Sequence, residues 1–153
     1  MNNNLIFAPV LLQVCLTLGL YIYLAIAKSR AVSQGQVNEE RRALYEDAWP
    51  EAVRKINNSV KNQFEAPILF YVLVFIFWAT NSVNIYIHIL AWLFALSRLL
   101  HAYIHTGTNY VPHRRKVFTI GWFFILIMTI VLTANLKVFS GDDAEPSILS
   151  LNP

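Results

Sequence analysis

The chain has 153 residues, of which 56% are hydrophobic and only 14% charged, with a formal net charge of +3 and a mean hydropathy of +0.46. A soluble domain usually carries about a quarter charged residues, so this composition excludes an ordinary water-soluble fold. No long basic arm with interleaved aromatics is present, and nothing points to nucleic acid.

In chain order, four apolar segments occupy roughly residues 5–27, 56–79, 85–104 and 117–139. Each is close to the ~20 residues a helix needs to cross the hydrocarbon layer. Strands of a membrane barrel would be about ten residues long and alternating, which these are not. The expectation is an all-α, integral membrane four-helix bundle over residues 1–140, followed by a short disordered acidic tail at 141–153. The first segment resembles a secretory signal at Ala25-Ile26-Ala27. Residues 1–4 lack the positive charge of such a signal and the apolar run is too long, so cleavage is not expected. Cys15 is the only cysteine, which rules out an intrachain disulfide, and it reads as a packing residue.

Basic residues set the expected orientation. Lys28, Arg30, Arg41, Arg42, Arg54, Lys55 and Lys61 lie between the first and second segments, and Arg114, Arg115 and Lys116 between the third and fourth. Only Lys137 falls on the other side, so both termini are expected on the non-cytoplasmic side. Within the first loop, Ser33-Gln34-Gly35-Gln36 reads as flexible. Glu39-Glu40-Arg41-Arg42 and Glu46-Asp47 read as a solvated or interfacial helix broken near Pro50, with Trp49 as a headgroup anchor. Pro67 falls in the first turns of the second span, where it is tolerated or kinks the helix. Short connections later in the chain imply up-down-up-down antiparallel neighbours.

Ionisable residues inside such spans cost a few kcal/mol on insertion scales and persist mainly where they face a partner, a cavity or chemistry. Glu65 and Arg98 are the two that stand out. Asn58, Asn62 and Glu65 share one helical face, and Arg98, His101 and His105 share another. Together with Arg114 they fall at the cytoplasmic ends of their helices and could line one polar site. Arginine suits carboxylates, and a glutamate suits an ammonium group. Purely structural pairings compete with this reading, Glu65 with Arg98 or Lys61 with Glu65. His101 and His105 could ligate a metal, but no third ligand is clearly placed and none is expected.

The run Asn62-Gln63-Phe64-Glu65-Ala66-Pro67 resembles the second-helix signature of the membrane-associated proteins in eicosanoid and glutathione metabolism, the MAPEG family. Arg98, His101 and Arg114 have spacing similar to that of its microsomal glutathione transferase and prostaglandin E synthase-type members. The resemblance covers about residues 5–139. It implies a homotrimer with glutathione bound between subunits near the cytoplasmic face. Arg30, Lys61, Asn62, Glu65, Arg98, His101 and His105 would contact glutathione, and Arg114 would stabilise its thiolate. Four positions depart from the family pattern: Lys61 and Asn58 stand where arginines are usual, His105 where a tyrosine is, and Arg115 where a serine is. Pro67 also lies closer to the glutamate than usual. The implied function is a membrane-bound glutathione-dependent transferase or peroxidase acting on lipophilic electrophiles. The alternative is a non-catalytic lipid-binding or scaffold protein of the same fold. A small transporter is a third reading, disfavoured by the lack of repeats or paired broken helices.

Overall fold

In the computed structural model, residues 3–142 are described, with side chains to residue 136. The chain forms α1 (Phe7–Ser33), α2 (Glu51–Lys61), α3 (Ala66–Ala79), α4 (Ile85–Thr106) and α5 (Val111–Asp142). Of the expected tail at 141–153, residues 141 and 142 end α5 and the rest lies outside the described residues. Among the described residues, four helical stretches are long and apolar enough to cross a membrane, with α2 and α3 together forming the second. Large apolar side chains such as Leu11, Ile22, Phe75, Phe123 and Ile130 point outward. In water that surface would be untenable, whereas lipid tails accept it at no cost. The protein is an integral multi-pass membrane protein.

Helix ends explain why the chain turns where it does. Gly35, at φ 64°, occupies the left-handed position after α1. Its N–H donates to the Val32 carbonyl, and the Gln36 N–H donates to that of Ala31, both at 3.0 Å. This is a Schellman cap, so the segment expected to be flexible is a defined helix stop. Asn81, at φ 52°, ends α3 in the same way, with Ser82 N–H donating to Phe77 at 2.9 Å. Asn84 then caps α4 by accepting from the Ile87 N–H at 3.1 Å.

The second span is broken rather than merely kinked. Pro67 has no N–H to offer Gln63 four residues earlier, and its ring would crowd that carbonyl. The backbone answers with a 3-10 turn at Asn62–Phe64 and an irregular Glu65 at φ −101°, ψ −101°. Helix α3 restarts as Ile68 N–H donates to the Glu65 carbonyl at 3.3 Å.

Two apolar clusters hold the bundle. In one, Phe70, Val74 and Phe77 of α3 meet Ile87, Ala91 and Phe94 of α4 and Ile125 and Met128 of α5. The Phe70 and Phe94 rings stack at 4.5 Å. In the other, Leu20, Leu24 and Ala31 of α1 meet Val53, Ile56 and Val60 of α2. Helices α4 and α5 approach closely at Gly121, where an added Cβ would lie 3.1 Å from Ser97 Oγ. Between α1 and the helix break, buried Gln13 Nε2 donates to Gln63 Oε1 at 2.6 Å, and Gln63 Nε2 to the Ser59 carbonyl at 3.1 Å.

The first loop departs from expectation. Residues 39–44 are turns rather than an interfacial helix, followed by a short 3-10 turn at Glu46–Ala48. Asn38 gathers the turns by accepting Arg41 and Arg42 N–H groups at its carbonyl, and its own N–H donates to Ala48 at 3.1 Å. The charges that suggested a solvated helix instead pair within the turns, Arg42 with Glu39 and Arg41 with Asp47. Trp49 turns inward: its Nε1 donates to the Arg42 carbonyl at 3.3 Å, and Lys28 Nζ sits 5.0 Å from its ring centre.

Glu46 fastens this loop to α2, accepting from Lys61 Nζ and from Asn57 Nδ2. The Lys61 hydrogen bond, aided by the charges of Lys61, Arg54 and Lys28, holds the Glu46 carboxyl below the ordinary carboxylate range. Because the folded pKa is the lower one, the attachment is complete above the unfolded pKa and is lost as pH falls through the folded value. The protection factors of residues 38–49 against hydrogen exchange should therefore fall on acidification below about pH 4. Glu46→Gln should show fast exchange at neutral pH and no such acid transition; an acid transition that survives the substitution would assign it elsewhere.

Candidate functional site

The helix break presents polar groups where a continuous helix would hide them. At that end of the bundle the end of α2, the 3-10 turn, the last turns of α4 and the first turns of α5 enclose a cavity of about 450 Å³. Its wall carries Lys61, Asn62 and Glu65 from the broken span, His101 and His105 from α4, and Arg114 and Arg115 from α5. Asn58 and Phe118 complete the polar and apolar sides. Six of the eight residues singled out by sequence thus surround one space, within the size range of small-molecule sites.

Arg98 does not reach the wall. It is 0% exposed, beneath the cavity, with Nη2 donating to the Asn62 carbonyl at 3.2 Å and its guanidinium 5.4 Å from the Phe118 ring centre. That carbonyl would have received the Ala66 N–H in an unbroken helix, so the break and the arginine satisfy each other. Gly121 lies over this arginine, where a Cβ would be in ordinary contact with the Arg98 side chain, 3.7 Å from Cδ and 3.9 Å from Nη1. Arg98 Nε and Nη1 have no partner. The structural pairings considered from sequence do not form: among the described residues no ion pair joins Glu65 to Arg98 or to Lys61, and Lys61 pairs with Glu46 instead. Arg30 lies elsewhere, on a separate cleft of about 220 Å³ between α1 and the start of α2.

Arg114 is held in place from two sides. Its Nη1 donates to Asn109 Oδ1 at 2.6 Å and lies 3.4 Å from His105 Nε2. Because a guanidinium only donates, this contact is a hydrogen bond in the His105 tautomer that carries its proton on Nδ1. The rings of His101 and His105 meet edge to face at 5.6 Å, and both Nδ1 atoms are buried without a partner. Sequence reasoning missed Asn109, which sits at φ 52° in the turn between α4 and α5. Its signal was the tolerance of asparagine for left-handed backbone, which marks a turn but not what its amide holds. Phe118, one helical turn beyond Arg114, was missed because an aromatic in an apolar span is ordinary in sequence.

The model of the MAPEG family matches residues 6–134. No curated protein and no solved structure matches the chain. The family includes glutathione transferases, peroxidases and related enzymes. A match over most of the chain, on a four-span helical membrane fold, places this protein in the MAPEG family.

Proposed function

We propose that this protein is a membrane-bound glutathione-dependent transferase or peroxidase acting on lipophilic electrophiles. The observation that carries the reading is the convergence of one carboxylate, Glu65, with Lys61, Arg114 and Arg115 on a single cavity at a membrane end of the bundle. That donor set suits a small zwitterion bearing one ammonium group, two carboxylates and a thiol. Bound glutathione supplies the nucleophilic sulfur. Glu65 accepts from its ammonium group, Arg115 binds one of its carboxylates, Lys61 reaches the other by exchanging Glu46 for the ligand, and Asn62 offers an amide. Arg114 favours the thiolate over the thiol, since a neighbouring guanidinium stabilises the anion, and so leaves a sulfur lone pair free to attack an electrophilic centre. Val111 and Phe118 give the cavity an apolar side for a substrate that arrives through the bilayer.

The proposed working unit is a homotrimer with glutathione between subunits and both termini on the non-cytoplasmic side. In that arrangement Arg30, remote from the cavity of its own chain, could serve the cavity of a neighbour. Calorimetric titration of reduced glutathione into the detergent-purified protein tests the core of the reading. Saturable binding is expected, weakened about tenfold or more by Glu65→Gln through loss of a charge-assisted hydrogen bond. Absence of binding in folded, oligomeric protein would favour the lipid-binding scaffold role instead.

A further inference from the structure

A second cavity, of about 240 Å³, opens between the end of α1, the first loop and the outer face of α2. Three cations reach it, Lys28, Arg42 and Arg54, against one carboxylate, Glu46. That carboxylate is already engaged by Lys61 and Asn57. Arg42 is paired with Glu39, which is not on the cavity wall, and Arg54 forms no ion pair among the described residues. Lys28 and Arg54 therefore keep the cavity lining net positive. Trp49 forms its floor beside Lys28.

Its depth in the membrane follows from helix length. From Phe7 to Lys28, α1 rises about 32 Å, against a hydrocarbon layer of about 30 Å. Lys28 thus stands at the headgroup boundary, and the cavity with it. On the rim, Leu44 is 85% exposed and Tyr45 53%. An apolar side chain held out at the tip of a charged turn is costly in water and favourable at the acyl boundary.

We infer that this cavity binds the headgroup of an anionic phospholipid, with Lys28, Arg42 and Arg54 around the phosphate and Leu44 set among the upper acyl carbons. The site is distinct from the cavity around Glu65 and Arg114 and does not depend on what binds there. It is linked to that cavity through Glu46, whose partner Lys61 lies on the other wall. A bound lipid would hold the loop, and through Glu46 the position of Lys61.

The test is native mass spectrometry of the full chain in detergent, with phosphatidylglycerol and phosphatidylcholine of matched acyl chains added in equal amounts. The wild type should retain phosphatidylglycerol at least tenfold in preference. Each cation near an anionic surface is worth about fivefold, so Arg54→Gln should reduce the preference about fivefold, and Lys28→Gln with Arg54→Gln should abolish it. Lys28→Arg, which keeps the charge, should retain it and serves as the control for folding. Leu44→Ser should weaken retention of the lipid but leave competition by inorganic phosphate unchanged. Equal retention of the two lipids, or a preference that survives neutralisation, would overturn the proposal. Tight binding of inorganic phosphate with no effect of Leu44→Ser would instead identify a free-anion site.

Discussion

Replacing Arg114 by alanine is expected to lower glutathione-dependent turnover of an aryl halide by on the order of 10²–10³-fold, the usual cost of removing one preorganised anion-stabilising donor. Oligomeric mass and thermal stability should change little, because Arg114 is only half-buried and bridges a turn rather than a core. Arg114→Lys keeps a charge but not a fork anchored by Asn109, and should fall between the two. Asn109→Gly is the sharper companion. Glycine tolerates the φ of 52°, so the turn survives while the Oδ1 that orients Arg114 is removed. A loss of about tenfold in kcat with little change in KM is expected from one hydrogen bond to a charged group. Undiminished turnover in Arg114→Ala would remove the assigned role and shift attention to His105.

The second large effect is expected at Arg98. Its substitution by alanine vacates a wholly buried volume and strips the Asn62 carbonyl of its donor. Cavity formation and an unpaired buried carbonyl together should cost about 2–4 kcal/mol of stability. Arg98→Met fills most of the space and removes an expensive buried charge, so its stability should lie close to wild type. The two substitutions should nevertheless agree in one respect: both free the 3-10 turn at Asn62–Phe64. Hydrogen exchange at residues 61–66 should rise, and glutathione affinity should fall about tenfold, in Arg98→Met as well as in Arg98→Ala. A normal affinity in Arg98→Met would mean that the break holds Asn62 and Glu65 without the arginine. Its buried charge would then need another explanation.

The contrast between these two arginines also separates what a sequence can carry from what it cannot. Helical spacing placed Asn62 with Glu65 and Arg98 with His101 and His105, because residues three, four and seven apart share a face whatever they pack against. It could not distinguish Arg98 from Arg114 as wall or foundation. That difference depends on Gly121 bringing α5 close over α4, and on Phe118 covering the guanidinium. Lys61 illustrates the same limit. Its nearest acidic neighbour in sequence is Glu65, but a loop folded back by Asn38 and Ala48 delivers Glu46 to it from fifteen residues away.

By itself, the sequence determined the four membrane spans, the all-helical class and the grouping of polar residues near one end of the bundle. Hydropathy and periodicity are local properties, and a bilayer imposes them strictly because backbone polar groups inside it must be satisfied by the protein, almost all of them within a helix. Only the tertiary structure decided that Pro67 breaks the second span outright, that Asn62 offers its carbonyl to Arg98, that Arg30 stands apart from the cavity of its own chain, and that Asn109 sets Arg114. The partners of Asn62 and the placement of Arg30 are choices among different segments. Such choices are made by how closely helices pack, which no single stretch of chain encodes.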